Sequence, residues 1–126
     1  MIISNSIIGN SLDGADCRYS SSSATGFSID DTSIIEDGSC GANRSGDPGL
    51  LPLGDNGGAT QTHALAANSI AINTGDPNTC LSTDQRGVTR DSQCDVGAFE
   101  FGVEAGNETN TFIIPLPNGR TMIFDL

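Results

Sequence analysis

The chain has 126 residues, about one domain's worth, and its mixture of Ile, Thr, Ser, Asn and Asp with 16 Gly suits short strands and tight turns rather than helices. Asp and Glu total 16 against five Arg and no Lys, a net charge of -11 that argues against nucleic-acid binding and against peripheral binding to anionic membranes. Four cysteines, Cys17, Cys40, Cys80 and Cys94, never occur as Cys-x-x-Cys, which disfavours zinc and points to disulfides and an oxidising compartment.

Met1-Ile2-Ile3-Ser4-Asn5 lacks the basic start and sustained apolar run of a signal peptide, and no segment has the length of a transmembrane helix. The expectation is therefore a piece of a longer exported protein. Asn5-Ser6-Ile7-Ile8-Gly9-Asn10 reads as a short apolar strand, followed by the turn Asp13-Gly14-Ala15-Asp16 and then Cys17. After a serine-rich loop over 19–23, Thr32-Ser33-Ile34-Ile35-Glu36-Asp37 repeats the strand and again leads through a glycine turn to a cysteine, Cys40. Polar loops over 40–49 and at Asp55-Asn56-Gly57-Gly58 separate this from a looser echo, Asn68-Ser69-Ile70-Ala71-Ile72-Asn73, and from a further apolar strand, Val96 to Phe101.

Strands this short cannot bury an apolar side alone, whereas stacked in parallel they share a core, as solenoid coils do. The pattern predicts an all-β chain, a right-handed parallel β-helix over 1–101 of which these are the C-terminal coils. A polar linker follows over 102–110. Thr111 to Leu116 and Arg120 to Asp125 flank Pro117-Asn118-Gly119, a hairpin signal, so 111–126 is expected to form an appended β-hairpin that caps or anchors. Phe112, Ile114, Met122 and Phe124 fall on one face of it. Because each pair is local, and Cys17 and Cys40 hold matching places on successive coils, the expected disulfides are Cys17–Cys40 and Cys80–Cys94.

The run Asp47-Pro48-Gly49-Leu50-Leu51-Pro52-Leu53-Gly54-Asp55-Asn56-Gly57-Gly58-Ala59-Thr60-Gln61-Thr62-His63-Ala64-Leu65 is followed by Ser69 to Gly75, then by Asp84-Gln85-Arg86-Gly87-Val88-Thr89-Arg90 and Cys94-Asp95-Val96-Gly97-Ala98-Phe99-Glu100. In this order they resemble the closing segment of the bacterial choice-of-anchor Q domain proteins, which overlap with polymorphic-outer-membrane-protein-like repeats. The likeness covers about residues 2 to 101; Ala59 stands where a Pro is usual and Asn73 where Asp is frequent. It implies a right-handed parallel β-helix on an exported protein with variable surface attachment, and it implies no particular enzyme activity.

His63, the only histidine, has no Ser or Cys partner in sequence and reads as a hydrogen-bonded structural residue. Asp30 and Asp31, being adjacent, lie on opposite sides of any strand and cannot form a facing pair for glycoside hydrolysis. Asp13, Asp16, Glu36 and Asp37 are candidate calcium ligands in Asp-rich turns, although they complete no calcium-loop consensus. Asp84, Arg86, Gly87, Asp95 and Gly97 read as architecture, with Arg86 donating to backbone carbonyls or to a carboxylate such as Asp95 and the glycines allowing tight backbone passage. Asn43-Arg44-Ser45 and Asn107-Glu108-Thr109 fit the glycosylation sequon but read as plain polar loops.

The leading expectation is thus a structural or adhesive module, secreted or on the bacterial surface, with no catalytic site or cofactor of its own. Its partner would be a surface polysaccharide or protein, with no nucleic acid and no membrane insertion. One rival is the non-catalytic C-terminal end of a polysaccharide lyase or glycoside hydrolase; another is a calcium-dependent binding module.

Overall fold

A computed structural model describes residues 1–19, 26–104 and 111–125. Its strands are β1 (Ile2–Ile3), β2 (Ile7–Ile8), β3 (Ser28–Ile29), β4 (Ile34–Ile35), β5 (Leu50–Gly54), β6 (Thr62–Leu65), β7 (Thr111–Pro115) and β8 (Thr121–Asp125). Ser39–Gly41 forms a single 3-10 turn. The strands pair two by two, β1 with β3, β2 with β4, β5 with β6 and β7 with β8.

The two clearest sequence echoes do pair in parallel: Ile7 lies opposite Ile34 and Ile8 opposite Ile35, while Ile2 meets Ser28 and Ile3 meets Ile29. The expected β-helix, however, is not formed. Among the described residues no sheet has more than two strands, and no solenoid sheet runs through the molecule. Asn68 to Asn73 is a chain of turns and Val96 to Phe101 a series of bends. The reason lies in where their amides go. Asn73, in a left-handed conformation (φ 56°), donates its amide to the Asp95 carboxylate at 2.8 Å, and Ile72 donates to Ser69 O. Val96 returns a single bond to Ala71 O (2.9 Å) and Gly97 one to Asn5 O (2.8 Å). With these amides spent on a turn carbonyl, a carboxylate and single bridging bonds, no third ladder propagates. β5 and β6 moreover run antiparallel, joined through the Asp55 to Gly58 turn, a direction that parallel coils do not contain.

Ile34, Leu65, Ala71 and Val96 are buried at the centre, with Ile7, Leu50, Ile72 and Phe99 packed around them. Asn5 joins the first strands to the later chain, donating from Nδ2 to Thr79 Oγ1 (2.9 Å) and accepting at Oδ1 from the Asp76 amide (2.7 Å). Arg44 does the same from the second level, reaching Ile70 O, Thr74 O and Thr74 Oγ1. Both cysteine pairs are bridged, Cys17 to Cys40 with Cα atoms 5.6 Å apart and Cys80 to Cys94 at 6.7 Å.

β7 and β8 pair antiparallel, with Phe112 opposite Phe124 and Ile114 opposite Met122, and Gly119 (φ 78°) in the connecting turn. The packing expected of those four side chains lies outside the described residues, as do most of the serine-rich loop and the Asn107 sequon.

Candidate functional site

The sequence from Asp84 to Phe101 carries little regular structure, yet it holds the most buried charge in the described chain. Asp84 accepts five hydrogen bonds. Oδ1 takes the amides of Arg86 (2.8 Å) and Val88 (3.3 Å); Oδ2 takes Arg86 Nε (2.9 Å), Arg86 Nη2 (2.8 Å) and the Glu100 amide (3.0 Å). Arg86 Nη2 continues to Glu100 O and Nη1 to Asn56 O, and its guanidinium lies 3.8 Å over the Phe99 ring.

Glu100 mirrors this arrangement. Its carboxylate accepts Arg90 Nη1 at 2.8 Å and the amides of Asp91 and Asp95, while Arg90 also donates to Asp95 O and Gly97 O. Arg90 Nε is buried without a partner among the described residues. Asp95 accepts the amides of Asn73 and Phe101. The side chains of Asp84 and Glu100 are fully excluded from solvent, and Arg86 and Arg90 are 2% and 8% exposed. Buried charge is tolerable only when paired and hydrogen-bonded, which these four groups are. Here carboxylates and guanidiniums take the place of a strand ladder in satisfying the backbone.

Sequence reasoning singled out Asp84, Arg86 and Asp95; Arg86 does donate to backbone carbonyls, those of Asn56 and Glu100, but its carboxylate partner is Asp84, two residues away, and Asp95 serves amides. Glu100 and Arg90 were missed. Gly97 (φ 95°) is a close approach, since a Cβ there would lie 2.9 Å from Ile7 Cδ1; Gly87 (φ 80°) faces open space and is needed for its backbone angle alone.

Burial is the largest influence on both carboxyl groups but wins only at Glu100. At Asp84 it opposes ionisation, yet the Glu100 amide, the Arg86 side chain and amide and the Val88 amide together hold the group below its usual value; at Glu100 burial outweighs Arg90 and the amides and raises it. The two therefore act oppositely in acid. Asp84 contributes stability that is lost as pH falls through its lowered folded value, below 3.8. Glu100 favours the fold when protonated, so stability rises as pH falls through its raised folded value towards 4.5. A series of urea melts descending from neutral pH should show a shallow rise before the acid collapse, and Glu100→Gln should remove the rise while keeping the collapse. A monotonic fall in the native chain would contradict this assignment.

The calcium candidates lie at the other end. Asp16 Oδ1 accepts the Ser11 amide; Asp16 Oδ2 takes the Asp37 amide and Asp37 Oδ2 the Asp16 amide, each tying one level to the next. Ser39, by hydroxyl and then amide, and the Asp16 amide hold the Asp37 carboxyl below its usual value. Glu36 accepts the Asn10 amide. With Asn10, Ser11, Leu12 and Gly14 these residues line an open cavity of about 480 Å³, Asp13 standing exposed beside it. Among the described residues no group of three or more His, Cys, Asp or Glu side chains is arranged to hold a metal ion. Asp30 accepts from Thr32 and Asp31 from Asn43, so neither faces the other.

His63, on β6, is exposed and its Nδ1 lies 2.7 Å from Leu51 O. Two cavities flank the nearby Phe99 and Leu65. One, about 500 Å³, is bordered by Arg86, Asn56, Phe101 and Val103; the other, about 330 Å³, by His63, Gln61, Gln85, Leu50 and Leu53.

These features define a β-rich, disulfide-bonded chain organised by buried ion pairs, with no helix among the described residues long and apolar enough to cross a membrane. No family model, curated protein or solved structure matches it.

Proposed function

We propose that the chain is a structural and adhesive module of an exported protein, secreted or displayed at the cell surface, with no catalytic centre of its own. The observation that carries this reading is the use of its buried charge: the carboxylates of Asp84, Asp95 and Glu100 and the guanidiniums of Arg86 and Arg90 are engaged with one another and with main-chain groups. They act as a frame. Disulfides form and persist in oxidising compartments, which supports export, and the strongly acidic composition favours solubility outside the cell. The resemblance to choice-of-anchor Q proteins supports the same setting, for its motifs Asp84 to Arg90 and Cys94 to Glu100 contain the residues of the frame.

The test is to offer the oxidised protein to immobilised polysaccharides and matrix proteins while assaying the soluble fraction for cleavage. Retention on at least one surface without product is expected. Product release from polygalacturonate or another polysaccharide, abolished by Asp30→Asn or His63→Ala, would overturn the reading in favour of an enzyme.

A further inference from the structure

We infer that the cavity beside His63 is a binding site for a neutral saccharide, an inference that deepens the adhesive reading above and rests on it. At about 330 Å³ the cavity falls within the range of small-molecule sites, roughly 300–1,000 Å³. One wall is apolar, formed by Leu50, Leu53 and Phe99. Phe99 borders both cavities, whereas Arg86, stacked on its ring, borders only the other. Such an apolar wall accommodates the C–H face of a pyranose ring.

The polar residues on the rim are suited to hydroxyl groups. Leu51 O can only accept, so the bond to it requires the proton on His63 Nδ1, which in the neutral imidazole leaves Nε2 as an acceptor. Gln85 uses Nε2 on Thr60 Oγ1 and Gln61 O, which leaves Oε1 as a second acceptor. The Gln61 carboxamide bonds to no other described side chain or backbone group, so both its donor and its acceptor are open to a ligand. Neighbouring hydroxyls, each donor and acceptor at once, match such a set.

Charge then selects within the saccharides. Among the described residues the lining contains no Arg, Lys, Asp or Glu, and the chain's net charge is -11. A uronate or sulfated sugar would enter without a counter-charge from the described lining and against the overall field, whereas a purely apolar ligand would give no partner to His63 Nε2, Gln85 Oε1 or the Gln61 carboxamide.

The experiment follows backbone and side-chain amide NMR signals during titration of the full chain with cellobiose, maltose, lactose and chitobiose, alongside digalacturonate. At least one neutral disaccharide should move the Gln61 and Gln85 carboxamide signals along a saturable isotherm, and digalacturonate should not. Leu53→Trp, at a position 55% exposed, fills the cavity mouth without removing a hydrogen bond and should abolish the shifts; Gln85→Ala should weaken binding on the order of tenfold. No saturable shift with any neutral disaccharide, undiminished binding in both variants, or equal binding of digalacturonate would overturn the assignment. If the saccharide titrations fail while the protein is still retained on a matrix protein without cleavage, the adhesive reading stands and only the ligand class is wrong. Cleavage of any of these sugars by the native chain would overturn both.

Discussion

Asp84→Ala is expected to lower the unfolding free energy by about 3–5 kcal/mol, the cost of breaking a buried ion pair from one side. The substitution leaves the Arg86 guanidinium, 2% exposed, without its carboxylate and removes the acceptor of three amides, those of Arg86, Val88 and Glu100. Asn at the same position keeps the shape and part of the accepting capacity, so Asp84→Asn should cost less. Glu100→Ala should resemble Asp84→Ala, since it strands Arg90 and the amides of Asp91 and Asp95. Urea denaturation with both disulfides intact measures the difference. A loss below about 1 kcal/mol for both alanine variants would show the pairs to be no stronger than surface salt bridges.

Reduction of the disulfides should have an effect of similar size. Cys17 and Cys40 are 23 residues apart and Cys80 and Cys94 are 14 apart, so each cross-link constrains the unfolded chain by about 3 kcal/mol. Against a typical stability of about 5–15 kcal/mol, loss of both removes a large share of what holds the fold. The second bridge should matter more. Cys94 is fully buried, and a Cβ on Gly75 would meet its Sγ at 2.9 Å, so the loop over 75–94 is closely fitted around that sulfur. The Cys80→Ser, Cys94→Ser variant should therefore lose more stability than the Cys17→Ser, Cys40→Ser variant. Equal melting temperatures for the native, singly cross-linked and reduced proteins would refute the account, as would a non-reduced digest joining Cys17 to Cys80 or Cys94.

Turn and strand chemistry was legible locally. The paired apolar runs at Ile7-Ile8 and Ile34-Ile35 do pair, in parallel, because each is a short β-branched segment whose apolar side needs a neighbour. Asn118-Gly119 lies in the turn of an antiparallel pair for an equally local reason, the positive φ that Gly119 adopts there. What misled was extrapolation of the repeat. Asn68 to Asn73 has the composition of another strand, but its amides are claimed by Ser69 and by Asp95, 22 residues from Asn73.

The same limit governs the buried frame. Glu100 is one of 16 acidic residues, and nothing adjacent to it in sequence marks it as the acidic side chain that Arg90 and two backbone amides enclose. The cavity that β5 and β6 form with Gln85 and Phe99 likewise depends on segments distant in the chain, since both residues lie well beyond the end of β6 at Leu65. By itself the sequence determined the strand-and-turn character, the acidity and, through their local spacing, the cysteine pairs, since these depend on composition and short-range geometry. Only the tertiary structure decided where parallel pairing stops, which carboxylates lose their water and which polar rim surrounds a cavity, because each is a competition among distant groups for the same amides and the same buried space.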